Sequence, residues 1–551
     1  MGKSSTKTEV NAGDILEKFG KYQIVQYTYL CLPAIFVAMI NVNYIFVAGE
    51  VSYRCRVPEC ETTGTYDASW WPAAHTDQCS RPVLNHTKFN LQGNVCSNNT
   101  FSSAVAECTE WVYESDDTIV SELNLACQPW QRSFVGVVHS FGMGIAMMVS
   151  GWLADRIGRK PTLIICAVGC VFGNFKTLAT SYPVYIFLEF LEAAICGGAA
   201  ATSCILMIEI GNTDNRMLAG VLFAYAIYMG EALFAIIAML VPYWKYLIHI
   251  LCTPPLLFLI YTVITYESPR WLILNGKEVQ AIKVLKRMVK MNKINTNIED
   301  IEKLNKNTLK QAYNISINGK KEGLKDLFIC TESLKRLIVA FVTRLAISYI
   351  YYGLVANSVW LPGNKYVYFL LGAIMSFPGE LLSLYLMNKI GRKLPLVYGY
   401  TLCGLMCVAY GFVPESYRWV KITFFLAGKL IASSCFTGIV TYTMELFPTS
   451  VRGTVLGLCT MAYSGGVMLG LLTPMLSSIS SVLAPITFGL AAIVSSALIM
   501  LVPETRHLPL YDTIEQIAKS VASAKDATEM KKSKEQDNFG FTIDEANNVV
   551  Q

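Results

Sequence analysis

Twelve stretches of mainly apolar residues run through this chain, each near the length of about 20 residues that a helix needs to cross a bilayer. They fall at 24–48, 132–154, 161–181, 183–208, 217–241, 245–266, 335–360, 365–388, 394–414, 418–446, 453–477 and 482–502. No soluble fold hides so many such segments. Charged residues make up only 15% of the 551, against about 25% in an ordinary soluble domain. The expectation is therefore an all-α membrane protein with the lipid bilayer as its solvent. The net charge of +5 is spread out, and no Lys/Arg block interleaved with aromatics points to nucleic acid. Residues Met1 to Lys21 are polar and lack the apolar core of a signal peptide, so the first apolar segment is expected to direct insertion.

An even number of spans puts both termini on one side. Asp155-Arg156-Ile157-Gly158-Arg159-Lys160 follows the second segment, Asn388-Lys389-Ile390-Gly391-Arg392-Lys393 follows the eighth, and the 267–334 connection is rich in Lys. Basic connections stay in the cytoplasm, so both termini are expected there. The 49–131 connection then lies outside. It holds Cys55, Cys60, Cys79, Cys96, Cys108 and Cys127, an even set that suggests disulfides in an oxidising compartment and leaves their pairing open. It also holds two glycosylation sequons, at Asn85 and Asn98. A third, at Asn314, falls on the cytoplasmic side and should be unused. Other cysteines lie in apolar runs as packing residues, with no zinc-type spacing and no cofactor motif. In the linker, Val279, Ile282 and Leu285 keep helical spacing, which predicts an amphipathic helix under the bundle. The tail after Leu508 is polar, with a short helix expected near Tyr511 to Lys519.

Three landmarks repeat. Asp155-x-x-Gly158-Arg159-Lys160 recurs at Asn388 to Lys393, offset by 233 residues; Glu209 and Arg216 recur as Glu445 and Arg452, offset by 236; Glu267-Ser268 recurs as Glu504-Thr505, offset by 237. Each follows the same segment of its half. The chain therefore divides into an N-terminus (1–23), a first six-helix half (24–266), a linker (267–334), a second half (335–502) and a tail (503–551). Parallel six-helix repeats are the architecture of the major facilitator superfamily. In the repeated loop Gly158 and Gly391 permit a tight turn. Asp155, Arg156, Arg159 and Arg392 sit where charges can bridge helices in one state and part in another. Glu209, Arg216, Glu267, Arg270, Glu445 and Arg452 belong to the same candidate cytoplasmic gate. Asn388 replaces the acid in the second copy, so a weaker latch is expected there.

More of the sequence is similar to the organic cation/anion/zwitterion transporter family of that superfamily. Phe19-Gly20-Lys21-Tyr22-Gln23 resembles its N-terminal signature, and Cys108-Thr109-Glu110-Trp111 through Asn124-Leu125-Ala126-Cys127 resembles the end of its first extracellular loop. Glu267-Ser268-Pro269-Arg270-Trp271, Glu445-Leu446-Phe447-Pro448 and Pro503-Glu504-Thr505 resemble its motifs after the sixth, tenth and twelfth helices. The resemblance implies a polyspecific plasma-membrane carrier that works by alternating access, through facilitated diffusion or exchange. Three charge labels of the family are replaced here, by Gly197, Ser376 and Ser464.

Ionisable residues inside a membrane are costly and functional by default. The family's cavity is lined by the first, fourth, seventh and tenth helices, which here carry Glu189 and Glu192, Arg344, and Lys429. Two acids and two bases suit a zwitterion; the alternative is that Glu189 or Glu192 bridges to Arg344 or Lys429. Tyr351, Tyr352, Phe377 and Tyr463 are candidate aromatic walls for an ammonium group, and Tyr351-Tyr352-Gly353-Leu354 resembles a substrate-binding position of the family. Glu231 and Glu380 are secondary candidates. Lys176 is expected to snorkel outward, and His139 to be a packing residue more readily than a proton relay. The expected function is transport of small organic cations or zwitterions. The alternatives are an organic-anion exchanger using Arg344 and Lys429, and a transport-inactive receptor with a transporter fold. No P-loop or nucleophile–base pair suggests an enzyme.

Overall fold

A computed structural model of the chain describes residues 19–61, 65–72, 77–86, 89, 96–211, 216–294, 324–361, 363–448, 451–506, 514 and 516. The apolar stretches fold as twelve helical spans: 1 (Lys21–Val47), 2 (Pro129–Ile157), 3 (Arg159–Leu178), 4 (Tyr182–Ile210), 5 (Leu218–Leu240), 6 (Trp244–Ile264), 7 (Thr331–Trp360), 8 (Lys365–Lys389), 9 (Lys393–Phe412), 10 (Arg418–Leu446), 11 (Gly453–Ser477) and 12 (Leu483–Met500). Within a bilayer every backbone polar group needs an internal partner, and helices provide one. Local signals set their ends. Asn364 caps span 8 by accepting from the Tyr366 and Val367 amides. Gly158 and Gly391 separate spans 2 from 3 and 8 from 9 at φ +118° and +130°, a region that only glycine enters without strain.

The two halves pack alike. Span 1 lies on span 5 as span 7 lies on span 11, and span 2 on span 4 as span 8 on span 10. Across the halves, span 2 meets span 11 and span 5 meets span 8. On the side of the cysteine-rich connection this seam is closed by aromatic rings. Phe46 stacks on Tyr366 with centroids 5.1 Å apart, and Phe369 meets Phe46 at 5.3 Å and Phe234 at 6.0 Å.

That connection forms a small cap whose strands add β-structure to an otherwise helical chain. Strand β1 (Tyr53–Cys55) pairs antiparallel with β4 (Trp111–Tyr113), and β2 (Ser80–Leu84) with β3 (Phe101–Glu107). Disulfides join Cys55 to Cys108, Cys60 to Cys96 and Cys79 to Cys127. Arg54 is buried in the cap, paired with Glu61 and lying over Trp70 and Trp71. Span 6 anchors the cap: the Trp244 amide donates to the Asp117 carbonyl at 3.0 Å, and its indole donates to Glu122 at 2.9 Å. Asn98 is exposed at the turn into β3, and Asn85 follows β2.

The linker helix spans Glu278–Asn292. Its packed stripe is Ala281, Val284, Leu285, Met288 and Val289, the i, i+3, i+4, i+7, i+8 pattern of an amphipathic helix. Val279, expected on that face from its spacing, is 83% exposed. The phase is fixed by the longer stripe, which Val279 does not join. Asn292 ties this helix to the start of span 1 by accepting from the Tyr22 amide at 2.8 Å. The Asn314 sequon lies outside the described residues, as does the expected tail helix apart from Ile514 and Gln516.

Candidate functional site

The repeated loops form two copies of one network. In the first half, Arg159 pairs with Glu209 at 3.1 Å and donates to the Ala154 carbonyl, while Glu267 accepts from the Arg159 and Lys160 amides. In the second, Arg392 pairs with Glu445 at 3.1 Å and donates to the Met387 carbonyl, while Glu504 accepts from the Arg392 and Lys393 amides. Lys160 and Lys393 each cap a carbonyl at the end of the half's last span, Thr262 and Met500. A Cβ on Gly391 would lie 2.8 Å from Glu504, and one on Gly158 would run into Glu267. The glycines therefore admit the carboxylates as well as the turn.

Among the described residues Asn388 forgoes the Asp155–Arg159 pair, at 2.9 Å, in which the Asp155 side chain is 74% exposed. An exposed pair contributes about 0–1 kcal/mol, so the repeated core carries the latch in both halves. All these bonds stay inside one half. Burial pushes the Glu267 carboxyl up against three backbone N–H bonds, from Ser268, Lys160 and Arg159. Glu504 is held below the usual range: burial opposes this, but the amides of Arg392, Lys393, Arg506 and Thr505 outweigh it. Arg156 lies over Trp152 at 4.9 Å, and Arg270 is half-buried. The side chains of Arg216 and Arg452 lie outside the described ones.

Midway along the spans a second cluster links the halves. Residues Arg344, Ser348, Tyr351 and Tyr352 share one face of span 7. The Tyr351 hydroxyl donates to Glu231 of span 5 at 3.3 Å and lies 3.4 Å from Ser376 of span 8. Lys429 of span 10 places its ammonium 3.2 Å from the Tyr351 ring centre, and its Nζ has no hydrogen-bond partner among the described residues. Glu380 of span 8 accepts from Thr437 at 2.5 Å and from Tyr228 at 3.4 Å, while its Oε1 has no partner among the described residues. Phe377 meets Tyr225 and Tyr228 across the seam, at 5.2 and 5.7 Å. Arg344 donates to the Phe436 carbonyl and lies over the Phe436 and Tyr463 rings, at 4.4 and 5.1 Å. The Tyr352 and Tyr463 hydroxyls bond at 2.8 Å. Acid, base and aromatic faces thus meet within one buried layer.

Glu189 and Glu192 are not in it. Both are held by Lys176 of span 3, which is fully buried rather than snorkelling outward. The outer part of span 3 winds as a 3₁₀ helix over Cys170–Leu178, and Lys176 points into the first half. Neither acid bridges to Arg344 or Lys429. The acid that faces Lys429 from the other half is Glu231, and Glu380 sits beside it on Thr437 and Tyr228; both are secondary candidates of the sequence. The signal was present, since each is a single acid deep in an apolar span.

A sequence profile described as "Sugar (and other) transporter" matches residues 91–517. The chain is 28% identical to the "Organic cation transporter protein" of Drosophila melanogaster, over 91% of this chain and 92% of that one. It is 27% identical to "Solute carrier family 22 member 3" of Mus musculus (91% and 94% covered). It is 26% identical to "Organic anion transporter 3" of Homo sapiens (92% of each). Among solved structures, the inward open conformation of the xylose transporter XylE from E. coli shares the fold, with a TM-score of 0.58 at 14% identity over 88% of this chain and 98% of that one.

Proposed function

The chain belongs to the sugar (and other) transporter family, and we propose that it is a polyspecific plasma-membrane carrier for small organic cations and zwitterions. The observation that carries this is the buried layer between the halves. Lys429 offers to a carboxylate an ammonium that has no hydrogen-bond partner among the described residues, and Glu231 and Glu380 offer acids to an amine. Tyr351, Tyr352, Phe377 and Tyr463 supply aromatic faces around them. Each ring attracts a cation by about 0.5–2 kcal/mol, more when desolvated. The solute binds between the halves, and rocking of one half against the other presents it to either side. The two latch networks keep each half rigid as it turns. The cap faces outward with Asn85 and Asn98 as sugar acceptors, and both termini are cytoplasmic, as the basic connections require.

The relatives named as organic cation and organic anion transporters support a carrier of small organic ions. Lys429 and Arg344 favour a second reading, an organic-anion exchanger. Uptake of labelled choline, β-alanine and benzoate into cells expressing the chain separates the two. Saturable uptake of choline and β-alanine is expected. Lys429→Gln should abolish β-alanine uptake and spare choline, whereas Glu231→Gln and Glu380→Gln should depress choline. Uptake of benzoate alone establishes the exchanger, and uptake of none of the three sinks the carrier reading.

A further inference from the structure

A cavity of about 410 Å³ lies between the cap and the aromatic rings that close the seam, apart from the buried layer described above. Its size is that of a small-molecule site, roughly 300–1,000 Å³. Phe46 and Tyr366, the stacked pair of the seam, line its inner side. Glu50, Glu114, Asp117, Thr118 and Lys365 contribute to its walls. Glu50 and Glu114 are exposed, so the cavity is open to the medium on the side of the cap.

The charges come from different halves. Glu50 follows span 1, and Glu114 and Asp117 belong to the cap that span 6 anchors. Lys365 opens span 8 of the second half. All three acids act electrostatically on the Lys365 ammonium, and no ion pair joins any of them to it among the described residues. Arg132 of span 2 lies 3.8 Å from Glu50 and does not line the cavity. Even with Arg132 counted, three carboxylates meet two cations. A cleft with an excess of one sign concentrates ions of the other.

Two further observations narrow what fits. Thr118 is 4% exposed, and its hydroxyl has no hydrogen-bond partner among the described residues. A buried hydroxyl left so is costly until something polar meets it. The carboxylates are also spread around the cavity rather than gathered. Among the described residues, no group of three acids, cysteines or histidines is placed to hold a metal ion. A wider cation suits the space, with carboxylates around it and aromatic surface beneath it.

We infer that this vestibule is a second solute site, which takes small organic ammonium ions from the medium while the seam is still closed. The bound cation answers the carboxylates that Lys365 answers across the closed mouth. It therefore competes with the contact between the halves, so capture and opening favour each other. The binding stands without the carrier reading; its part in uptake rests on that reading.

Equilibrium binding of labelled choline to the full chain in nanodiscs tests the site. Two saturable components are expected. Glu231→Gln with Glu380→Gln should remove the central one. The remainder should weaken by about tenfold when Asp117→Asn and Glu114→Gln are added. Asp117→Asn keeps the carbonyl that receives the Trp244 amide. Lys365→Met should tighten the remainder, because a tethered cation no longer competes. A single component that vanishes with Glu231→Gln and Glu380→Gln overturns the inference, as does a remainder indifferent to the cap substitutions. Calcium displacing choline from it at constant ionic strength would make the vestibule a metal site and overturn it too. In cells, Asp117→Asn with Glu114→Gln alone should raise the KM of choline uptake by about tenfold, with the change falling on KM rather than kcat. This measurement does not depend on whether the central variant folds, and an unaltered KM overturns the capture role. Choline held by the vestibule and never taken up would leave the site standing and sink the carrier reading.

Discussion

The Lys429 ammonium sits 3.2 Å from the centre of the Tyr351 ring, and that ring's hydroxyl is bonded to Glu231 from the opposite half. One tyrosine therefore stands between a base and an acid that do not touch. A desolvated cation–π contact is worth about 2 kcal/mol, less than the several kcal/mol that burial costs an ion. The two charges are not kept for folding. Removing both with Lys429→Met and Glu231→Gln should leave stability unchanged or raise it by about 1–4 kcal/mol, read by thermal unfolding in detergent, while solute uptake is lost. A marked loss of stability in the double variant would assign the pair to structure instead.

Lys176 is different, because it answers two carboxylates in a fully buried site. Lys176→Met leaves Glu192 without its cation and Glu189 with His139 alone, and should cost about 3–5 kcal/mol, seen as a lowered melting temperature and less monodisperse protein. Glu192→Gln should cost less, since Glu189 still holds the lysine. The order of the two variants is the test, and the reverse order contradicts the assignment.

The latch predicts symmetry. Gly158→Ala and Gly391→Ala each force a side chain to positive φ against a carboxylate, at a cost of about 1–3 kcal/mol. Asp155→Asn, which gives the first loop the residue of the second, should change stability by less than about 1 kcal/mol. Melting curves of the three variants check both statements, and a large effect of Asp155→Asn would restore the unequal latch.

Glu504 gives a pH dependence. Burial works against its charge, but four backbone N–H bonds hold its carboxyl below the ordinary value, about 4.3 for a free glutamate. A carboxyl depressed in the folded state contributes stability above its unfolded pKa and loses it as the pH falls through the folded one. Unfolding followed from pH 7 downward should therefore show Glu504→Gln less stable than the unaltered protein at neutral pH. The two curves should converge below about pH 4. Curves that stay parallel would remove Glu504 from the acid response.

The spans, the repeat and the set of paired cysteines were legible because each is written locally, in hydropathy, spacing and loop composition. The disulfide partners were not, since six cysteines pair only once β1 and β4 bring Cys55 toward Cys108. Nor was the burial of Lys176. A lysine near the end of an apolar helix reads as a snorkelling one, and only the tight winding of Cys170–Leu178 beside Glu189 and Glu192 turns it inward. For the same reason the acids of span 4 were placed opposite the bases of the second half. Helical periodicity says which residues share a face, but not which neighbour that face meets. The linker helix makes the point in small: Val279 has helical spacing and still faces out.

The cap is moored to span 6 through Trp244, and Lys245 adds an ion pair to Glu122. It therefore travels with the first half as a lip on one jaw. Among the described residues the other jaw has no such lip, and the mouth it closes on is lopsided. An antibody fragment gripping the cap alone would ride along without hindering the motion. One that also reached Lys365, at the outer end of span 8, would wedge the jaws together and hold the carrier shut.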